Sequence, residues 1–340
     1  MIVVDLHADS VARCDTLGLP FSARYNRSEK YPHLQVAAAF AGSGRTPLAL
    51  RRARLFSMLD TLDRVAGEEM FLRIRTATDL SDFRRTGGRA LLYSVEGGGF
   101  FPADLPTLFA RGVRILSLVW DKGEYGSSSR ESGTAADGGF SPAGRAALRE
   151  CERLGILPDL SHASDRAFFQ AAEETSGPLL ATHSDFRALC PHPRNLTAEM
   201  ATLIASRGGL IGLNLYPPFL RFRGTATLDD LLRHADYGLS LVGERTLALG
   251  FDIDGTEGVY PAGCSFSESI HDRVADFFLS YYSARTVERL LGENAADFFG
   301  QHLPKGGEGG KRKSRAMRKS TKRRRIAPLP EPDKTSDETP

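Results

Sequence analysis

The strongest constraint on the fold is a regular alternation between short apolar segments and longer segments of helical periodicity. Seven apolar segments predict strands: 2–7, 90–96, 113–120, 157–162, 178–183, 209–215 and 246–252. Each is apolar along almost its whole length, which is typical of strands buried on both faces of a parallel sheet. The intervening segments 143–154, 165–174 and 197–207 have helical spacing. The alternation predicts an α/β fold, either a closed (β/α)8 barrel or an open doubly wound sheet.

The positions of the reactive side chains favour the barrel. A residue able to do chemistry closes most of the predicted strands: His7, Glu96, Trp120, His162, His183 and Asp252. In a (β/α)8 barrel the functional groups come from the carboxyl ends of several strands, whereas an open sheet concentrates them at one switch point beside a glycine-rich loop. No such loop and no P-loop motif is present. We therefore predict a TIM-type barrel of the metal-dependent hydrolase kind, although the long segment 10–89 shows no clear eighth strand, only a helix at 49–64.

Composition separates the body of the chain from its end. The chain has 340 residues, of which 41% are hydrophobic and 25% charged, which excludes a wholly disordered protein. Twelve of the 44 Lys and Arg, but only five of the 42 Asp and Glu, lie in 303–340, which leaves 32 basic and 37 acidic residues in 1–302. We expect a barrel at 1–302 and a disordered tail at 303–340, basic first and then acidic and Pro-rich. A solvated tail is favoured over a nucleic-acid or membrane patch, so no nucleic acid is required.

The cysteines and the N-terminal residues indicate the cellular compartment in which the protein is expected. The four cysteines, Cys14, Cys151, Cys190 and Cys264, are irregularly spaced, which favours free thiols over disulfides. The sequence shows no secretory signal and no apolar run of about 20 residues that would span a membrane. We expect a cytoplasmic protein.

Five of the strand-end residues suggest a metal site. His7 and Asp9 are two residues apart, so on an extended strand they would project from one face. Glu96 follows a buried strand, where an unpaired charge is costly. His162 and His183 are separated by one short βα unit, so their strands should be neighbours. Each residue taken alone has an ordinary explanation as a rim or core residue, but together they predict a site for divalent metal.

The ordered motifs resemble those of a known family. Asp252 and Asp254 lie in G-F-D-I-D-G, and either could be a turn-capping residue or an acid/base carboxylate near the metal. This motif follows H-A-D, S-V-E-G-G, D-L-S-H-A-S, A-T-H-S and P-R-N-L. Their order resembles that of the membrane dipeptidases, the renal dipeptidase-like metallopeptidases of the amidohydrolase superfamily. The resemblance runs from about residue 2 to about residue 300.

The resemblance implies a binuclear zinc centre on a (β/α)8 barrel. By motif, His7 and Asp9 would bind one Zn²⁺, His162 and His183 would bind the second, and Glu96 would bridge both. A hydroxide between the two ions would attack the peptide bond. Asp252 would match the proton-shuttling Asp of the family, and Arg194 would match the arginine that binds the substrate carboxylate.

One position departs from the mammalian pattern. Where those members have a His that contacts the scissile carbonyl, this chain has Trp120. We therefore expect Trp120 to line the substrate site, without the polarising contact of the His. The resemblance implies a homodimeric dipeptidase acting on L-Xaa-L-Xaa or L-Xaa-D-Xaa dipeptides. The alternatives are a related amidohydrolase acting on N-acyl amino acids or β-lactams, and a non-catalytic barrel tethered by its basic tail.

Overall fold

Parallel strands form the centre of the computed structural model of this chain, which describes residues 1–256 and 258–306. The strands are β1 (Val3–Ala8), β2 (His33–Phe40), β3 (Leu72–Arg73), β4 (Arg89–Glu96), β5 (Val113–Leu116), β6 (Leu157–Pro158), β7 (Leu180–Ala181), β8 (Leu210–Leu213) and β9 (Leu247–Leu249). They pair in the order β6-β5-β4-β2-β1-β9-β8-β7, and the short β3 adds to β4. All the strand pairs are parallel. The sheet therefore has the eight-strand composition of a (β/α)8 barrel.

The two ends of this sheet meet just beyond β6. Asp159 forms a parallel bridge with Leu180 of β7, and the Leu160 amide donates to the Leu180 carbonyl at 2.8 Å. The barrel is thus nearly closed, which confirms the predicted fold class. Each of the seven predicted strands is present, but most end earlier than expected. The eighth strand is β2, which the sequence analysis did not identify.

Helices connect the strands. They are α1 (Ser10–Leu17), α2 (Leu48–Glu68), α3 (Ala77–Thr86), α4 (Leu105–Ala110), α5 (Pro142–Leu154), α6 (Asp165–Glu174), α7 (Ala198–Ser206), α8 (Pro217–Leu220), α9 (Leu228–Val242), α10 (Ile270–Leu279), α11 (Ala284–Glu288) and α12 (Asn294–His302). Ser141 begins α5 by accepting the Gly144 amide at 3.1 Å, and Gly155 ends it in a left-handed conformation. Among the helices of the described ranges, none combines the length and apolar character needed to cross a bilayer.

The apolar core has an inner and an outer layer. Side chains alternate along each strand, so Ala90 and Leu92 of β4 point into the barrel while Leu91 and Tyr93 point outward against the helices. The inner layer contains Val4, Leu34, Leu92, Ile115, Leu157, Leu180, Leu210 and Ala248. Because the barrel interior is filled with apolar side chains, polar groups are left to gather where the strands end.

The predicted division of the chain lies partly outside the described residues. Residues 1–305 form one compact unit, which includes the predicted barrel at 1–302. The predicted tail at 303–340 falls outside the described residues from 307 onward. The expectation of a disordered basic and then acidic tail therefore stays a prediction.

Candidate metal site and its cavity

Six predicted site residues meet at the carboxyl ends of the strands: His7, Asp9, Glu96, His162, His183 and Asp252. Glu96 lies at the centre of this cluster. Its Oε2 is 3.6 Å from the Nε2 of His7, while its Oε1 is 2.8 Å from the Nε2 of His162 and 3.5 Å from that of His183. The two oxygens of one carboxylate therefore face two different groups of imidazoles.

A bulge in β1 directs His7 into the barrel mouth. Asp5 pairs with Gln35, but Ala8 pairs with Ala37, so β1 contains one more residue than β2 over this interval. Val4 and Leu6 belong to the inner core, and strict alternation would point His7 outward. The extra residue shifts the alternation by one position, and His7 faces Glu96 instead. The predicted proximity of His7 and Asp9 is observed, and the bulge determines that His7 faces the barrel mouth.

The first half of the cluster has the spacing of metal ligands. The Nε2 of His7 lies 3.6 Å from Asp9 Oδ2 and 3.9 Å from Asp252 Oδ1. Within the described part of the chain, His7 Nε2 and Asp9 Oδ1 are buried without a hydrogen-bond partner. These separations are too long for hydrogen bonds, but ligand atoms bound at about 2.1 Å to a tetrahedral ion lie about 3.4 Å apart. The residues present therefore fit a divalent metal.

The second half consists of two histidines. The Nε2 atoms of His162 and His183 are 3.0 Å apart, and both lie beside Glu96 Oε1. Imidazole nitrogens converging on a carboxylate oxygen form a donor set that suits zinc. Glu96 thus lies within reach of all three imidazoles, and His7, Glu96 and His183 are close enough together to hold a metal ion.

A hydroxyl relay orients one of these ligands. The Thr182 hydroxyl donates to Asp159 Oδ2 at 2.7 Å. The oxygen of this Thr182 hydroxyl also lies 2.7 Å from the Nδ1 of His183. Since a hydroxyl has only one proton, it accepts from His183 Nδ1, and this assigns the tautomer whose Nε2 carries a free lone pair. Neither Thr182 nor Asp159 was predicted as a site residue.

Asp159 supports this part of the site through several further contacts. Its Oδ2 accepts the Ser117 hydroxyl at 2.6 Å, and its Oδ1 accepts the Ser161 hydroxyl at 2.7 Å, the Ser161 amide at 3.1 Å and the Thr182 amide at 2.9 Å. The residue is buried. It therefore fixes the backbone beside both His162 and His183. The available signal in the sequence was a charged residue inside the apolar segment 157–162.

Burial controls the proton affinities of the cluster. Burial, reinforced by the Glu96 carboxylate, raises the pKa of Asp9 to about 6, and burial raises the pKa of Asp252 to about 7. For His7, burial alone would lower the pKa, but the Glu96 and Asp9 carboxylates outweigh it and raise the pKa well above 6.5. Burial, together with Arg194, lowers the pKa of His162 to about 4. The three crowded carboxylates thus require protons or cations among them.

The turn after β9 decides which Asp joins the site. Asp252 and Asp254 both adopt left-handed backbone conformations, with φ of 59° and 71°. Asp254 forms an ion pair with Arg24, whereas Asp252 faces His7 and accepts the Asn214 amide group at 3.3 Å. A Cβ at Gly255 would overlap Asp252 Oδ1, so the turn requires glycine there. Of the two candidates left open by the sequence, Asp252 is the one beside the cluster.

A cavity of about 540 Å³ opens beside the cluster. Its lining includes Trp120 and Arg194, as well as Tyr216 and Phe219. Trp120 was predicted to close a strand, but β5 ends at Leu116, and the indole reaches the cavity from the following loop, with its ring 6.0 Å from that of His162.

Arg194 is buried in the cavity wall. Its Nη1 donates to the carbonyl of Ser161 and its Nη2 to the carbonyl of His183 at 3.2 Å, while its Nε has no partner among the described residues. A guanidinium that is held by backbone carbonyls and lines the cavity suits a substrate anion.

Comparison with known protein families gives one match over most of the chain. The model of the family described as membrane dipeptidase (peptidase family M19) matches residues 29–302. A Klebsiella pneumoniae protein described as an uncharacterized protein in the pqqA 5′ region is 35% identical over 191 residues, which are 53% of this chain and 70% of that protein. Dipeptidase aclJ of Aspergillus oryzae is 34% identical over 149 residues, which are 42% of this chain and 35% of that protein. The match thus spans only about a third of the Aspergillus protein.

Two solved structures share the fold. A metallopeptidase named dipeptidase AC superposes with a TM-score of 0.77 at 25% identity, over 89% of this chain and 99% of that one. A Rhodobacter sphaeroides metallopeptidase, solved with a phosphinate mimic of the dipeptide L-Ala-D-Ala, superposes with a TM-score of 0.76 at 23% identity over the same shares.

Proposed function

This chain belongs to the membrane dipeptidase family, peptidase family M19, and from that premise we propose that it is a dipeptidase that uses two zinc ions. The observation that carries the proposal is the position of Glu96. One of its oxygens faces His7, and the other faces His162 and His183. A single carboxylate placed between two sets of nitrogen ligands is the arrangement expected for a pair of cations.

We propose that His7 and Asp9 would hold one ion, that His162 and His183 would hold the other, and that Glu96 would bridge them. When bound, a zinc pair polarises a carbonyl oxygen and makes hydroxide available near neutral pH. The chemistry of the donor set supports this choice of metal, since imidazole and carboxylate ligands suit zinc.

The protein's own side chains would then manage the proton and the substrate. Asp252 stands beside the cluster, is half-buried and lines the cavity, so it can take a proton from the attacking water and return it to the leaving amine. Arg194 would bind the substrate's terminal carboxylate with the donors that its carbonyl contacts leave free. Trp120, Tyr216 and Phe219 would cover the peptide bond and exclude water.

We infer that the substrates are short peptides of the L-Xaa-L-Xaa or L-Xaa-D-Xaa type. A cavity of about 540 Å³ has room for a dipeptide. A carboxylate anchored at Arg194, at a fixed distance from Glu96, would select for a chain of two residues. Trp120 lines the cavity with its ring 6.0 Å from that of His162, so we propose that it packs against the substrate rather than replacing the His of the mammalian enzymes.

We also propose a cytoplasmic homodimer. The cysteines of the described ranges are unpaired, which suits a reducing compartment. Subcellular fractionation and light scattering would test location and oligomeric state separately.

The decisive experiment combines metal analysis with a substrate panel. Purified protein should contain about two zinc ions per chain and should hydrolyse L-Ala-L-Ala or L-Ala-D-Ala. It should act weakly on N-acetyl amino acids and β-lactams, the substrates of the alternative hydrolase. Glu96→Gln removes the shared charge with little change in shape, so it should lower both zinc content and turnover. Full zinc loading without hydrolysis of any dipeptide would contradict the proposal.

A further inference from the structure

The cavity contains a second guanidinium that the proposed reaction does not use. Arg130 and Arg194 are the two cationic side chains that line the cavity in the described part of the chain. Arg194 is committed to backbone carbonyls. The Arg130 side chain has neither an ion pair nor a hydrogen bond to any described residue, and its guanidinium lies 5.1 Å from the centre of the Trp120 ring. A cation without an anionic partner therefore borders the substrate space.

The backbone of Arg130 is tied directly to the candidate metal site. Arg130 belongs to the short 3₁₀ turn Ser129–Glu131, and the Ser129 amide donates to the carbonyl of His162 at 2.8 Å. The turn is closed by Glu131, whose carboxylate accepts the Ser128 amide at 2.8 Å. The backbone at Arg130 is thus held next to a candidate metal ligand, and the exposed side chain extends from there to Trp120.

The charges around the cavity are segregated. Its carboxylates are Asp9, Glu96 and Asp252, which all belong to the cluster and would face the metal ions. Arg130, which lies beside Trp120 in this lining, has no carboxylate partner among the described residues. By contrast, Arg51 near the same loop is neutralised by Glu124 at 2.6 Å. A substrate anion would complement the unpaired positive charge of Arg130.

We propose that Arg130 binds a carboxylate in the side chain of the substrate, so that the protein prefers dipeptides containing Asp or Glu. This inference rests on the proposed dipeptidase function, because it names the class of dipeptide that the same cavity accepts. The terminal carboxylate is assigned to Arg194, so a second carboxylate is needed to engage Arg130. The cation–π contact with Trp120 uses no hydrogen bond, so the N–H donors of the guanidinium are free for a bidentate pair with a carboxylate.

The test compares acidic dipeptides with their neutral amide analogues. For the zinc-loaded full chain, kcat/KM is measured for Ala-Asp against Ala-Asn, Asp-Ala against Asn-Ala, and the corresponding Glu and Gln pairs. We expect at least one acid to exceed its amide by about fivefold or more. In Arg130→Met this ratio should fall to about 1, and in Arg130→Glu it should reverse.

A matched control is available in Arg223. Its guanidinium lies 5.3 Å from the centre of the Phe222 ring, so it has the same cation–π contact, but it does not line this cavity. Arg223→Met should leave the acid-to-amide ratio unchanged. A ratio near 1 in the wild-type protein, or a preference that survives Arg130→Met, would overturn the inference.

The dipeptidase activity and the role of Arg130 can be refuted separately. If neutral and acidic dipeptides are hydrolysed equally, the dipeptidase proposal stands and the role of Arg130 is wrong. If no dipeptide is hydrolysed, the proposed function is wrong, and calorimetric binding of Ala-Asp against Ala-Asn then decides the role of Arg130 directly. Binding of the acid that is tighter in the wild type than in Arg130→Met would support it, and equal binding would refute it.

Discussion

The hydrogen-bond relay behind His183 makes Asp159→Asn an informative perturbation. Asn keeps the shape of Asp and one oxygen, which can continue to accept the Ser161 and Thr182 amides. The new amide nitrogen replaces the oxygen that accepts the Ser117 and Thr182 hydroxyls. It must donate where Asp159 accepted, so the Thr182 hydroxyl reverses and donates to His183 Nδ1. His183 would then carry its proton on Nε2, the atom that faces Glu96.

The expected cost follows from that change of tautomer. Loss of a residue that orients a metal ligand weakens metal binding by about 10- to 100-fold, or about 1.4 to 2.7 kcal/mol. The Ser117 and Thr182 hydroxyls also lose their hydrogen bonds to the buried Asp159 carboxylate. Weaker hydrogen bonds replace them, which should destabilise the metal-free protein by about 2 to 4 kcal/mol. The prediction therefore has two parts, a loss of zinc affinity and a loss of stability.

The assay must separate these two parts. Zinc affinity is measured by competition with a chelating dye at a temperature where the variants are folded, and stability by urea denaturation of the metal-free protein. Asp272→Asn is a matched control, because Asp272 is also buried and accepts the Ser28 hydroxyl at 2.5 Å and the Glu29 amide at 2.8 Å. It should lose stability but keep its zinc affinity. If Asp159→Asn binds zinc as tightly as the wild type while losing stability like Asp272→Asn, the orienting role of Asp159 is refuted.

Three further outcomes test other parts of the molecule. Asp252→Asn should lower kcat about 10²- to 10⁴-fold with zinc content preserved, as seen by kinetics and elemental analysis, and a normal kcat would remove Asp252 from proton transfer. Arg194→Ala should raise KM for dipeptides far more than it lowers zinc content, so an unchanged KM would contradict its role. Burial beside Phe186 lowers the pKa of His234 to about 4, because it outweighs the hydrogen bond to the Leu220 carbonyl, which by itself would raise the pKa. Because the unfolded chain takes up a proton near pH 6.5 and folded His234 does not, stability should fall by about 3 kcal/mol from pH 6.5 to 4. His234→Gln should flatten that fall in acid-titrated urea curves, and an unchanged slope would show that other groups cause it.

The sequence predicted the barrel because buried parallel strands are apolar along their length, a pattern that is local and easily detected. The strand β2 was not recognised because its centre is Ala37, Ala38 and Ala39, and alanine has low β propensity. Its place is determined by its neighbours, since it pairs with β1 along one side and with β4 along the other. Such pairing is a tertiary effect that no local pattern contains.

The sequence likewise predicted some of the residues in the candidate site but not others. Strand-end residues such as His7, Glu96 and His183 were found because a charged or titratable group after an apolar run is conspicuous. Thr182 and Asp159 were not found, because a hydroxyl and a carboxylate within such a run resemble ordinary capping groups. Their function depends on the hydrogen bonds between two neighbouring strands, which exist only in the folded barrel.

The electrostatics of the cluster explain why its parts must act together. Removing Glu96, Asp9 and Asp252 from water raises the free energy of their charged forms, and each carboxylate raises that of the others. Without cations, protons must take up part of this charge, which is why the pKa of His7 is raised well above 6.5 despite its burial. Cations bound between the same oxygens would replace those protons, and the lone pair of His7 would then be free to bind a metal ion. The barrel therefore brings together carboxylates that need protons or cations between them. The bulge in β1 that brings His7 to Glu96 is as necessary to this cluster as the carboxylates themselves.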